Sequence, residues 1–136
     1  MNITTDNYSL YLGDCLEVMD KLIEEGVKVD CVITDPPYGT TACKWDTVIP
    51  FDKMWEKLRQ LTNPNGAVVL FGNMPFTSNI VQSNIKGYKH HWIWKKNRGT
   101  GFQVARYRPM MAHEDIIAFS LDGKRINYYP QKNKTR

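Results

Sequence analysis

Apolar positions along the chain fall into runs that alternate between strand and helix character. YSLYL (8–12) reads as a short strand, and GDCLEVMDKLIEEG (13–26) reads as a helix whose apolar face is Leu16, Met19, Leu22 and Ile23. Asp14 is placed to cap its first turn, Glu17 stands three residues on, and Gly26 is the stop. VDCVIT (29–34) is rich in β-branched residues and does not alternate cleanly, which predicts a strand buried on both faces of a parallel sheet. FDKMWEKLRQLT (51–62) is a second amphipathic helix, with Phe51, Met54, Trp55, Leu58 and Leu61 on one side and the turn NPNG (63–66) closing it. AVVLFG (67–72) is a third strand, and PFTSNIVQSNIKG (75–87) suits a helix opened by Pro75 and ended by Gly87. YKHHWIWK (88–95) and EDIIAFSL (114–121) are again strands, separated by a long polar and basic loop over 95–113. This order predicts an α/β fold, a mostly parallel sheet with an antiparallel edge.

The length of 136 residues suits one domain with a packed core, so residues 1–136 are read as a single unit. Hydrophobic residues at 42% and aromatics at 12% place the chain in the globular class. No apolar run reaches the roughly 18 residues of a bilayer span, and the start MNITTDNYSL lacks the features of a secretory signal, so no membrane partner and a cytoplasmic location are expected. Cys15, Cys31 and Cys43 are odd in number with no CxxC spacing, which argues against a disulfide framework or a zinc site. His90 and His91 are adjacent in a strand and point to opposite faces, and His113 with Glu114 lacks a ligand partner at suitable spacing, so no metal is expected.

Charge changes the picture more than composition does. Residues 1–50 carry three lysines against nine acids, a balance of −6, whereas residues 51–136 carry fifteen bases against five acids, a balance of +10. After Ile85, Lys86, Lys89, Lys95, Lys96, Arg98, Arg106 and Arg108 are interleaved with Tyr88, Trp92, Trp94, Phe102 and Tyr107. Bases among aromatics suit a polyanion with stackable rings, and equally a solvated face over a strand-rich core.

In open α/β sheets, ligands sit outside the carboxyl ends of the strands, where two features fall. Gly13 and Asp14 stand at the first strand-to-helix junction, where an Asp is often simply a cap. Asp35, Pro36, Pro37 and Tyr38 follow the second strand. The prolines fix φ and remove two backbone donors, so they stop the strand and hold a carboxylate, a carbonyl and an aromatic ring at the mouth of the sheet. Two acceptors and a flat ring match an exocyclic amino group on a nucleobase. The acceptors take the amino hydrogens and turn the nitrogen lone pair out of conjugation, while the ring stacks on the base. Trp45 and Asp46 either line the pocket or order the loop after Gly39, the ordering role being preferred, and Cys43, though close by, is given no role.

With DPPY (35–38) directly after an apolar strand, the sequence resembles the S-adenosylmethionine-dependent amino-methyltransferases of DNA, most often those acting on adenine N6. LGDCLEVM (12–19), NGAVVLFG (65–72), WIWKKN (92–97) and AHEDIIAFS (112–120) are similar to that family's succession of segments. The position of DPPY near the start resembles the permuted β group, in which the Gly-rich cofactor segment comes last. The resemblance implies a Rossmann-like methyltransferase sheet with S-adenosylmethionine as methyl donor and no metal. It implies Gly13, Asp14 and Asp35 toward the cofactor, and Asp35, Pro36 and Tyr38 as catalytic residues on an extruded base. Lys95, Lys96, Arg98, Arg106 and Arg108 are then the candidates for DNA backbone contacts.

The family's Gly-rich segment has no counterpart here, since NRGTGF (97–102) and LFGN (70–73) lie in other contexts. The chain is therefore expected to be the N-terminal catalytic part of a DNA methyltransferase domain, truncated or split, and weak or inactive alone. In the family's sheet order two strands would be missing beside VDCVIT. That strand would expose an unpaired edge unless YSLYL, a complementing C-terminal chain or a second copy paired with it. Cytosine N4 is the alternative target, and a non-catalytic DNA-binding remnant the alternative function.

Overall fold

The computed structural model describes residues 2–132. Two short strands, β1 (Asn2–Thr4) and β2 (Ser9–Tyr11), pair antiparallel as a separate hairpin. The strand expected at 8–12 thus forms but joins a neighbour not foreseen, and it does not slide over to the main sheet. Helix α1 (Cys15–Glu24) starts where the sequence predicts, with the Asp14 side chain accepting from the amides of Leu16 and Glu17.

The main sheet contains β3 (Val29–Thr34), β4 (Thr62–Gly72), β5 (Tyr88–Thr100) and β6 (Met111–Phe119), in the spatial order β3-β4-β6-β5. β3 and β4 are parallel, and β6 runs antiparallel to both β4 and β5. The carboxyl ends of β3, β4 and β5 therefore share one end of the sheet. The hairpin β5–β6 is longer than expected: Lys95 pairs with His113 and, after a register shift, Thr100 with Met111. The loop predicted over 95–113 shrinks to a connection holding a 3-10 turn at Phe102–Val104. A second irregularity lies in β4, where Val29 pairs with Thr62 but Cys31 with Ala67, so the NPNG turn bulges out within the strand. Asn65 there adopts φ 64°, and a Cβ on Gly66 would stand 2.4 Å from Thr62 Cγ2, which leaves glycine as the residue that fits.

Helices α2 (Phe51–Leu61) and α3 (Phe76–Ser83) bury their apolar stripes against the sheet. Met54, Trp55 and Leu58 of α2 and Phe76 and Ile80 of α3 meet Val68 and Leu70 of β4 and Ile117 and Phe119 of β6. Trp55 packs edge-on against Phe119 with centroids 5.1 Å apart, and its indole N–H donates to Ser83 Oγ at 2.9 Å. α1 packs beside α2 and keeps its apolar face only half-buried.

Among the described residues, only one face of the sheet is covered in this way. On the other face Phe71 meets Trp94 edge-on, and Ile33, Trp92 and Trp94 are 68%, 49% and 48% exposed. The expectation that β3 is buried on both faces is therefore corrected. None of its residues is buried, because β3 is an edge strand and its outer face lacks a layer. The expected open edge is present. Total accessible surface is 10600 Å², where a compact monomer of this mass exposes roughly 7300 Å².

Candidate active site

β3 stops at Thr34 because the next three residues are Asp35, Pro36 and Pro37. Pro36 is buried and Asp35 exposed, so the turn roots in the fold while its carboxylate meets solvent. Tyr38 Oη donates a hydrogen bond to Asp35 Oδ1, and the Tyr38 ring lies tilted on Phe76 at a centroid distance of 5.0 Å. Phe76 is in turn held edge-on by Phe51 at 5.8 Å. Burial, then the hydrogen bond to Asp35 and its charge, push the Tyr38 phenol far above its ordinary range, with Glu114 and Asp115 adding to the effect. The phenol stays protonated and keeps donating. Asp35, Pro36, Pro37 and Tyr38 line a cavity of about 320 Å³ together with Trp45 and Asp46.

The loop beyond Gly39 is tied down by one side chain. The amides of Gly39, Thr40 and Thr41 donate to the Asp46 carboxylate at 2.8, 2.9 and 2.6 Å. Hydrogen bonds from the Thr41 side chain and from these amides hold the Asp46 carboxyl down to about 2. Gly39 itself has φ 68°, and a Cβ there would stand 2.9 Å from Val48 Cγ2. The ordering role expected for Asp46 is what the structure displays. Trp45, 74% exposed, walls the cavity beside it.

A second cavity of about 480 Å³ adjoins the first and shares Pro37 and Trp45 with it. Gly13, Asp14, Leu16 and Val48 are among its other walls, while Asp35 borders the first cavity alone. Asp14 Oδ1 is engaged at the helix start, 2.8 Å from the Leu16 amide and 3.3 Å from that of Glu17. The helix-cap reading of Asp14 therefore holds for this oxygen.

The basic candidates divide. Lys95 and Arg98 are exposed near the carboxyl end of β5, and Arg106 and Arg108 are exposed in the connection to β6. This is the same end of the sheet as Asp35. Lys96 is different, since it pairs with Glu114 and lies 5.3 Å over the Trp94 ring. His91 Nδ1 stands 3.0 Å from Tyr88 Oη, and His90 packs on Trp92. Among the described residues no group of three His, Cys, Asp or Glu is placed to hold a metal ion. Phe76 is the member of the site that the sequence did not disclose, because its contact with Tyr38 spans two elements and leaves no local signal.

No protein-family model matches the chain. The chain is 29% identical to the type II methyltransferase M.HpaI of Haemophilus parainfluenzae, over 79% of its own length and 37% of that protein's. It superposes on the crystal structure of the M1.HpyAVI–SAM complex with a TM-score of 0.67 at 25% identity, covering 93% of this chain and 60% of that one. The chain carries the fold of the S-adenosylmethionine-dependent DNA amino-methyltransferases. The cytosine-N4-specific PvuII DNA methyltransferase shares this methyltransferase fold, with a TM-score of 0.52 at 13% identity over 85% of this chain and 49% of that one. The chain spans less than two thirds of the length of each of these methyltransferases.

Proposed function

We propose that this chain is the methyl-acceptor part of a DNA methyltransferase that acts on adenine N6 with S-adenosylmethionine as donor. The observation that carries the proposal is the Asp35–Tyr38 pair at the carboxyl end of β3, opening onto a cavity contiguous with the one beside Gly13 and Asp14. The second cavity suits an adenosyl group, since it combines a carboxylate with the apolar walls of Leu16, Pro37, Trp45 and Val48. When bound, S-adenosylmethionine supplies an electrophilic methyl group on a sulfonium.

This chain's residues do the rest by position. The Asp35 carboxylate and the Pro36 carbonyl accept the two amino hydrogens of the extruded base and free the nitrogen lone pair for in-line attack. Tyr38, fixed by Asp35 and Phe76, offers its free ring face to the base, which is worth about 1–3 kcal/mol. Extruding the base costs a few kcal/mol, and phosphate contacts from Lys95, Arg98, Arg106 and Arg108 help offset it, Lys96 being held by Glu114. Asp14 would offer its remaining carboxylate oxygen to the adenosyl group, Gly13 would leave room for it, and Asp35, on the adjoining cavity, would be the third residue toward the donor. The free edge of β3 and the bare sheet face take up a complementing C-terminal segment or a second copy, so the chain alone binds the donor weakly.

Incubation of unmodified duplex DNA with labelled donor, with and without Asp35→Ala, tests the reading. The expected product, after supplying a complementing segment, is N6-methyladenine by mass analysis of the nucleosides. N4-methylcytosine would instead select the runner-up target, which the fold shared with the PvuII enzyme keeps in play. Equal DNA retention with no methyl transfer by either protein would leave a binding remnant. Isothermal titration of the chain alone is expected to show no micromolar binding of the donor.

A further inference from the structure

The end of the sheet opposite Asp35 holds a second cluster that the proposed chemistry does not use. Lys28 precedes β3, Arg59 is in the last turn of α2, and Lys124 and Arg125 follow β6. Together with Thr62 and Ser120 they line a cup of about 360 Å³, whose rim includes one acid, Asp122. Four cations thus face a single carboxylate. Asp122 and Lys124 pair at 3.2 Å with both side chains more than half exposed, a contact that competes weakly with another anion.

The cup is built from the fold itself. The bulged NPNG turn supplies one wall, pinned by the Asn127 amide donating to the Asn65 carbonyl at 2.8 Å. Arg59 donates through Nε to the Leu121 carbonyl at 3.0 Å, and only one of its five N–H donors is spent there. Lys28 spends one of its three on the Gln60 carbonyl. In the same lining, Thr62 and Ser120 are 5% and 2% exposed, and the hydroxyls of both have no hydrogen-bond partner among the described residues. Buried hydroxyls are almost always paired, so two orphans in the lining of one cup that also holds four cations point to an acceptor.

We propose that this cup binds the phosphoryl group of a small phosphorylated molecule. Arg59, Arg125, Lys28 and Lys124 supply charge-assisted donors, and the Thr62 and Ser120 hydroxyls turn toward the same oxygens. A small ligand fits better than a duplex. The cup's volume lies at the lower end of the range for small-molecule sites, and the six residues of β3 separate it from the Asp35 end by about 20 Å.

Isothermal titration of the full chain with inorganic phosphate, and separately with ribose 5-phosphate, which has no base to enter the Asp35 end, tests this. Each titration should show one saturable site, unchanged in Asp35→Ala and weakened about tenfold or more in Arg59→Gln/Arg125→Gln. Because Arg59 also holds the Leu121 carbonyl, Arg125→Gln alone, with its exposed side chain, is the second variant and should weaken binding in the same direction. Absence of a saturable site for both probes, or equal affinity in the Arg variants, overturns the proposal. So does displacement of bound phosphate by a short DNA duplex, which would make the anion a backbone phosphate. Loss of binding in Asp35→Ala alone would move the ligand to the methyl-acceptor end, ending this inference while leaving the methyltransferase reading intact.

Discussion

At the scale of single residues the Asp35 carboxylate has two duties, since it accepts from Tyr38 Oη and is the acceptor proposed for the target amine. Asp35→Asn removes the charge from both bonds. Methyl transfer by the complemented protein should fall on the order of a hundredfold or more, with DNA retention preserved in a filter assay. Tyr38→Phe keeps the ring and its seat on Phe76, so its loss should be smaller than that of Tyr38→Ala, which forfeits about 1–3 kcal/mol of stacking. The reverse order would show that the hydroxyl matters more than the ring. Asp46 makes a prediction in pH. Its folded acid constant is depressed to about 2 from an ordinary 3.8, so its contribution to loop order is full at neutral pH. That contribution should be lost as pH falls below the ordinary value and through the folded one, and amide shifts of Gly39, Thr40 and Thr41 should report it together.

Elements divide by how local their causes are. α1, β3 and α2 fall where the sequence places them, because a capping Asp14, a double proline after Thr34 and an apolar stripe from Phe51 to Leu61 act within a few residues. The β5–β6 hairpin could not be measured from its own residues. Its outer rungs are polar and basic, and they become strand only by pairing across the register shift that joins Thr100 to Met111. The exposure of β3 was legible only in part: its apolar composition argued for cover on both faces, and the absence of a neighbouring strand argued for an open edge. The site follows the same rule, with Asp35 and Tyr38 readable three residues apart and Phe76 not. Two substitutions test the packing. Trp55→Ala, at a position 2% exposed, should cost about 3–5 kcal/mol in urea unfolding. Ile33→Lys places a charge on the exposed outer face of the β3 edge and should reduce self-association in sedimentation runs without lowering stability.

For the whole molecule, Asp35 from the acidic first part and the exposed Lys95, Arg98, Arg106 and Arg108 from the basic second part share the carboxyl end of one sheet. If Arg106 and Arg108 each neutralise a phosphate, changing both to Gln should lower the slope of log affinity against log salt by about 2, uniformly across DNA sequences. A larger, sequence-dependent change would mean base contacts. The edge position of β3 has a further consequence. Asp35 and Tyr38 are aimed by a strand that, among the described residues, is hydrogen-bonded on one side only, so their aim depends on whatever occupies the other side. Turnover per mole of chain should then rise with total protein concentration and fall on dilution.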